Sequence, residues 1–261
     1  MSRAQLAEQL TQIAHQAGKA IMDIYARDFE VTDKQDNSPL TEADLAAHHI
    51  IVDGLKAISD LPVLSEESAD IAWQERSQWQ QYWLVDPLDG TKEFIKKNGE
   101  FTVNIALIED GEPVLGVVFA PALNTTYVGA VGEFARVSKA GEMTELRPAI
   151  HQNDEIWKVV GSRSHQSPQI QALLDQLPGD TELVAMGSSL KLCLVAEGKA
   201  HLYPRLGPTS EWDTAAAHAV VNAAGGTVCE LEEQKPLSEQ QKPLRYNQKE
   251  SLLNPYFLVS C

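Results

Sequence analysis

The stretch Asp86-Pro87-Leu88-Asp89-Gly90-Thr91 holds two carboxylates three residues apart, at the end of the strand-forming run Trp83-Leu84-Val85. Pro87 cannot donate to a sheet ladder, so the strand is expected to stop at Asp86 and leave both acids at its tip. Across a turn of that length Asp86 and Asp89 can converge on one point. Asp89-Gly90 is a turn dipeptide, after which Thr91-Lys92-Glu93-Phe94-Ile95 can open a helix whose free N–H groups face an anion. Carboxylates suit a hard cation and amide donors suit a phosphate, so the pairing points to metal-assisted phosphate chemistry. On Asp-Pro and Asp-Gly alone a plain surface turn would be the better reading. Other acidic positions change the balance.

Glu66 and Glu67 follow the short apolar run Leu61–Leu64, about 20 residues before Asp86, a separation that fits a short crossover between neighbouring strands. Glu66 reads as a metal ligand and Glu67 as solvated charge. Asp213 lies at the start of Glu211-Trp212-Asp213-Thr214-Ala215-Ala216-Ala217, three residues after Ser210, where it can cap its own helix and still face a cation. Thr41 and Asp44 repeat the capping pattern. Thr41 reads as a cap, while Asp44, if it comes near Thr91, can orient that hydroxyl to take a proton from an attacking water. Gly187-Ser188-Ser189-Leu190-Lys191 and Gly161-Ser162-Arg163-Ser164-His165 are two further turns with hydroxyl, amide and cationic donors suited to phosphate or ribose.

These groups need elements to hold them. Apolar residues at three- and four-residue spacing predict a helix over 3–25, and Thr41 opens a second one to Ile58. Between them, 33–39 reads as a loop. Runs 101–108 and 113–119, joined by Glu109-Asp110-Gly111-Glu112, predict a hairpin that continues through 125–131 and 133–137 as an antiparallel meander. The polar stretch 143–155 is the best lobe boundary and divides the chain into 1–145, with most of the candidate ligands, and 146–261. Beyond it strands over 157–160, 182–185, 200–203, 227–230 and 256–260 alternate with helices over 168–177, 190–197 and 212–224, an α/β pattern. Residues 232–248 read as a mobile surface loop.

Composition narrows the function class. The chain has 261 residues, 43% of them hydrophobic, with a mean hydropathy of −0.24, as expected of a soluble globular protein. No apolar run is long enough to cross a bilayer, and the first residues lack the apolar core of a signal peptide. Three cysteines, Cys193, Cys229 and Cys261, show no paired spacing and read as thiols of a reducing, cytoplasmic compartment. The net charge of −16 argues against long nucleic acids. It would also repel a small polyanion unless bound metal ions reverse the local sign.

With Glu66-Glu67, Asp86 to Thr91 and Trp212-Asp213 in order along nearly the whole chain, the sequence resembles the inositol monophosphatase-like superfamily of magnesium-dependent, lithium-sensitive phosphatases. Gly90 to Ile95 followed by Asn98-Gly99-Glu100-Phe101-Thr102-Val103-Asn104 looks like the branch that hydrolyses 3'(2'),5'-bisphosphate nucleotides. Gly161 to His165, Gly187 to Lys191, Leu202-Tyr203-Pro204-Arg205 and Leu253-Asn254-Pro255 agree with it. The resemblance implies an α+β to α/β chain folded as a layered α/β/α/β/α sandwich. It implies removal of the 3'-phosphate from adenosine 3',5'-bisphosphate, and of the same group from its sulfated relative, within sulfate assimilation. By motif, Glu66, Asp86 and the Leu88 carbonyl would hold one Mg²⁺, while Asp86, Asp89 and Asp213 would hold a second. Gly90 and Thr91 amides would grip the phosphate, and Thr91 with Asp44 would activate the water. Ser188, Lys191, Arg163, His165 and Arg205 are the candidate nucleotide contacts. Two divalent ions roughly 3.5–4 Å apart stabilise the attacking and leaving oxygens of an in-line displacement, so no serine or cysteine nucleophile is required. An inositol 1-phosphatase and a non-catalytic metal- or nucleotide-binding regulator are the competing readings. The resemblance also points to association with the inner face of a bacterial membrane, for which the chain carries no hydrophobic anchor.

Overall fold

Helix α1 (Arg3–Tyr25) turns Leu10, Ala14, Ala17 and Ile21 inward on one stripe and is opened by a capping box between Ser2 and Gln5. In this computed structural model residues 2–27, 31–33, 39–153, 155–161, 168–232, 235–240 and 242–261 are described. The short antiparallel strands β1 (Val31–Asp33) and β2 (Pro39–Thr41) occupy both ends of the stretch expected to be a loop, whose middle lies outside the described residues. Helix α2 (Glu42–Ile58) follows, capped by Thr41.

Then come β3 (Val63–Ser65), a 3-10 turn over Glu66–Ser68, the one-turn helix α3 (Trp73–Arg76), β4 (Gln81–Asp89) and the short α4 (Thr91–Ile95). The antiparallel run β5 (Thr102–Glu109), β6 (Glu112–Ala120), β7 (Thr125–Ala130), β8 (Phe134–Lys139) and β9 (Glu142–Glu145) completes a seven-stranded sheet of order β3-β4-β5-β6-β7-β8-β9. The β5–β6 hairpin closes where expected, with Asp110 and Gly111 both at positive φ, 49° and 79°, as a two-residue mirror-type turn requires. Strand β9 was not expected. All four of its residues are exposed, so this edge strand carries no alternation to read.

The strand ending in Trp83-Leu84-Val85 does not stop at Asp86. Strand β4 runs on through Pro87 to Asp89, with its register to β5 shifted between Asp86, opposite Asn104, and Asp89, opposite Thr102. The partner β3 ends at Ser65 opposite Val85, so past that point no ladder on the β3 side asks Pro87 for an N–H. A bulge on an edge is where proline is tolerated.

The second sheet holds β10 (Trp157–Gly161), β11 (Thr181–Ala185), β12 (Leu202–Arg205), β13 (Thr227–Glu230) and β14 (Phe257–Ser260), in the order β11-β10-β12-β14-β13. Helix α5 (Pro168–Leu174) covers its outer face through Leu173. Helices α6 (Leu190–Ala196) and α7 (Glu211–Ala224) lie between the sheets in one continuous core, while α1 and α2 cover the far face of the first sheet. The result is the five-layer α/β/α/β/α arrangement.

Two glycines bring α7 down onto the first sheet. A Cβ at Gly116 would lie 2.1 Å from the Ala216 carbonyl oxygen, and one at Gly129 would lie 2.5 Å from Val220 Cα. Gly116 and Gly129 are register partners on β6 and β7, and the alanine-rich helix above them is equally small. This close approach fixes the start of α7, with Asp213, near the tip of β4.

The stretch 232–248, expected to be a mobile loop, is anchored over its second half. Leu244 and Tyr246 are fully buried in the main core. Buried Asn247 accepts from Arg76 Nη1 at 2.7 Å, returns its amide to the Arg76 carbonyl at 2.6 Å and gives its backbone N–H to both carboxylate oxygens of Glu211 at 3.0 and 2.9 Å. Few apolar residues in a polar segment gave no periodic signal, yet Leu244 and Tyr246 fill core positions. Among the described residues no helix is long and apolar enough to cross a membrane.

Candidate active site

The tip of β4 carries the acids. Asp86 is 1% exposed and its Oδ1 accepts the Leu88 N–H at 3.0 Å, which stabilises the turn over Pro87. Burial first, then the charges of Glu66, Asp89 and Asp213, push its carboxyl well above the usual range, and Glu66 shares a hydrogen bond with it. Glu66 reaches this point from the 3-10 turn after β3, the strand parallel to β4. Asp89 is pushed up to about 6 by burial, against the pull of Lys191 and of the Ser189 N–H that donates to its Oδ2. Asp213, at the start of α7, accepts the Ser210 N–H at 2.9 Å and is also raised, by burial and then by Asp89 and Glu66. Capping and membership of the acid cluster therefore coexist in Asp213.

Asp44 and Thr91, 47 residues apart in sequence, meet: Thr91 Oγ1 lies 3.2 Å from Asp44 Oδ1 and 3.3 Å from the Leu88 carbonyl oxygen. The other Asp44 oxygen takes the Thr41 hydroxyl at 2.6 Å and the Thr41 N–H at 2.9 Å, so this buried side chain both caps α2 and holds Thr91. Gly90, at φ 91°, makes the left-handed turn that sets Thr91 at the head of α4.

Beside the acids a cavity of about 170 Å³ is lined by Asp89, Gly90, Glu93, Ser188, Lys191, Tyr203, Arg205, Thr209 and Asp213. Its cationic wall comes from α6, which carries Lys191, and from β12 of the second sheet, which carries Arg205. Lys191 Nζ donates to the Ser188 carbonyl at 3.1 Å, and Arg205 Nη2 to the Pro208 carbonyl at 3.0 Å. Burial lowers the Lys191 pKa against the opposing fields of Asp89, Glu93 and Glu100. The loop bearing Ser188 is seated tightly: a Cβ on Gly187 would lie 2.8 Å from the Glu100 carbonyl oxygen, and Ser188 itself sits at φ 47°.

Of the positions expected from sequence, Glu66, Asp86, Asp89 and Asp213 act on one another at one place. Leu88, Gly90, Thr91 and Asp44 adjoin them, and Ser188, Lys191 and Arg205 line the cavity. Arg163 and His165 lie outside the described residues. Sequence reasoning assigned no individual role to Tyr203, whose hydroxyl interacts with Arg205 and whose pKa burial pushes up to about 12, nor to Thr209, Glu93, Thr102, Asn104 and Ser189, although Ser189 stood in the Gly187 to Lys191 turn. Polar Thr102 and Asn104, alternating inside the apolar run Phe101 to Ile108, were the available signal.

The donor set fits a hard divalent cation. Burial and the neighbouring carboxylates raise Asp86, Asp89 and Asp213 despite the opposing fields of Lys191 on Asp89 and Arg205 on Asp213, and all the donors are oxygens. Among the described residues no three such side chains are already closed down on one point. The acids are gathered without being drawn together.

The chain is similar to known proteins over nearly its whole length. The chain is 52% identical over 260 residues to the 3'(2'),5'-bisphosphate nucleotidase CysQ of Escherichia coli O157:H7, covering 97% of this chain and 98% of that protein. Identity is also 52% to the nucleotidase of the same name from Salmonella typhimurium, with the same coverage. The crystal structure of CysQ from Bacteroides thetaiotaomicron, described as a bacterial member of the inositol monophosphatase family, superposes with a TM-score of 0.83 at 41% identity, over 98% of this chain and 97% of that one. The inositol monophosphatase family pattern matches residues 2–256, and the chain belongs to that family.

Proposed function

We propose that this protein is a 3'(2'),5'-bisphosphate nucleotidase that hydrolyses the 3'-phosphate of adenosine 3',5'-bisphosphate to give AMP and phosphate, and treats the sulfated relative in the same way, as part of sulfate assimilation. One observation carries the reading: of four carboxylates that act on one another, Asp89 and Asp213 line a cavity that Lys191 and Arg205 also line. Such a cavity suits a substrate with two phosphates, one to be cleaved over the acids and one to be held by the cations. The names of its relatives support the same substrate class.

On this reading residues 1–145 supply most of the ligands and 146–261 complete the site. Glu66, Asp86 and the Leu88 carbonyl would hold one Mg²⁺ and Asp86, Asp89 and Asp213 a second, which would offset the charge developing on the phosphoryl and leaving oxygens. The Gly90 and Thr91 amides orient the phosphate. Thr91 Oγ1 takes a proton from the attacking water as its own hydroxyl proton moves toward Asp44 Oδ1. Lys191, Arg205 and Ser188 hold the second phosphate and the ribose, with Arg163 and His165 as further contacts. A cytosolic setting belongs to the same proposal, supported by three free thiols.

Phosphate release from adenosine 3',5'-bisphosphate, its sulfated relative and inositol 1-phosphate, measured side by side, tests the reading. The bisphosphates should be preferred, with turnover that requires Mg²⁺, stops with chelator and is inhibited by lithium. Equal or better turnover of inositol 1-phosphate would contradict it. Asp89→Asn should stay folded and lose most activity, whereas a binding regulator would have none to lose.

A further inference from the structure

Strand β5 is buried along almost its whole length, yet it carries Thr102 and Asn104 on one face, 0% and 1% exposed. Buried polar side chains in such a strand are costly unless each is hydrogen-bonded. Both are, and to the same group. Ser189 Oγ donates to Asn104 Oδ1 at 2.9 Å and lies 2.9 Å from Thr102 Oγ1. Ser189 sits at the N-cap of α6 without capping it by its side chain, so its hydroxyl is committed to this contact instead.

The proton order follows from the donors available. Ser189 has one hydroxyl proton and spends it on Asn104, so Thr102 must donate to Ser189. With its oxygen engaged, the Asn104 amide turns its N–H₂ end to Asp89 Oδ2, at 3.5 Å. The Ser189 backbone N–H donates to the same oxygen. Every link points toward Asp89 Oδ2, which leaves Oδ1 as the oxygen directed elsewhere.

We infer that Thr102, Ser189 and Asn104 form a buried donor chain that positions Asp89 as a cation ligand, occupying one carboxylate oxygen so that the other faces the acid cluster. The inference rests on the proposed function, in which Asp89 binds a divalent ion. Thr102 and Asn104 do not line the cavity, Ser189 borders it, and in this inference all three act on the cation through Asp89, as positioning residues. The chain joins the two halves of the molecule, since Ser189 precedes α6 while its partners lie on β5 and at the tip of β4. Docking of α6, which carries Lys191, is thereby coupled to the orientation of Asp89.

The test is direct Mn²⁺ binding, read by calorimetry on the full chain without substrate, in wild type, Ser189→Ala, Thr102→Val and Thr102→Ser. Ser189→Ala keeps the backbone N–H on Asp89 and removes only the hydroxyl. Thr102→Val keeps shape and removes the donor, while Thr102→Ser keeps the donor. Ser189→Ala and Thr102→Val should weaken Mn²⁺ binding by roughly 10- to 100-fold, as loss of a ligand's hydrogen-bond partner does elsewhere. The half-saturating cation concentration for turnover should rise by a similar factor, with kcat at saturating cation changed less than about threefold. Thr102→Ser should bind like wild type. Equal Mn²⁺ affinity in the Val and Ser variants, or wild-type affinity in Ser189→Ala with only the melting temperature lowered, would overturn the inference and leave the proposed function standing. A wild-type protein that binds no Mn²⁺ would overturn both.

Discussion

Two buried acidic places lie at either side of the first turn of α7. Glu211, 2% exposed, has both oxygens on the Asn247 N–H, with the Arg76 guanidinium bound to the Asn247 side chain and to the Lys249 and Glu250 carbonyls. Burial still pushes the Glu211 carboxyl up to about 7, but its polar neighbours pull it down. Two residues on, Asp213 joins Asp86, Asp89 and Glu66, where several of the strongest neighbouring charges have the same sign. A buried acid with partners inside the chain is architecture. A buried acid surrounded by other acids is a place for something the chain does not contain.

Charge removal should separate the two places most sharply. Asp86→Asn is expected to lower kcat/KM by about 10³-fold, from loss of roughly 4 kcal/mol of cation-derived stabilisation, while raising the melting temperature of the cation-free protein by about 2–4 °C as repulsion is relieved. A lowered melting temperature would mean that the cluster is already satisfied from within. Arg76→Met should do the reverse. It strands buried acceptors and should cost about 3 kcal/mol in a urea titration, with kcat of the folded fraction within a few-fold of wild type.

Within the site, Thr91→Val removes the hydroxyl held by Asp44 and should lower kcat by about 10²-fold with KM nearly unchanged. A KM effect alone would make Thr91 a substrate contact. The smallest effect belongs to the satisfied region. His218 is buried, paired with the Tyr246 hydroxyl at 2.9 Å, and burial lowers its pKa to about 3. Because the folded pKa lies below the unfolded one, this stabilising contribution is present above pH 6.5 and is lost as pH falls toward 3. Between pH of about 6.5 and 5 the loss should be roughly 2 kcal/mol, and His218→Asn should flatten that part of a stability–pH profile.

Local patterns made much of this legible. The stripe of α1, the Asp110-Gly111 hairpin and the acid spacing at 86–89 each depend on neighbours within a turn or two. What was not legible depends on distant partners. Strand β4 continues through Pro87 because β3 has already ended; Tyr246 is buried because α7 offers Thr214 and His218 to its hydroxyl. The contact between Ser189 and Asn104 spans 85 residues, and neither residue type announces the other. The meeting of Asp44 with Thr91 was foreseen only as a condition, since a linear chain gives the chemistry of a pair but not its distance.

Diffraction from crystals soaked in Mn²⁺, with anomalous difference maps, tests the central claim most directly. The account predicts strong peaks within ligating distance of Glu66, Asp86, Asp89 and Asp213, with Asp89 Oδ2 still held by Ser189 and Asn104. Peaks elsewhere, or these four carboxylates turned to separate places, would contradict it.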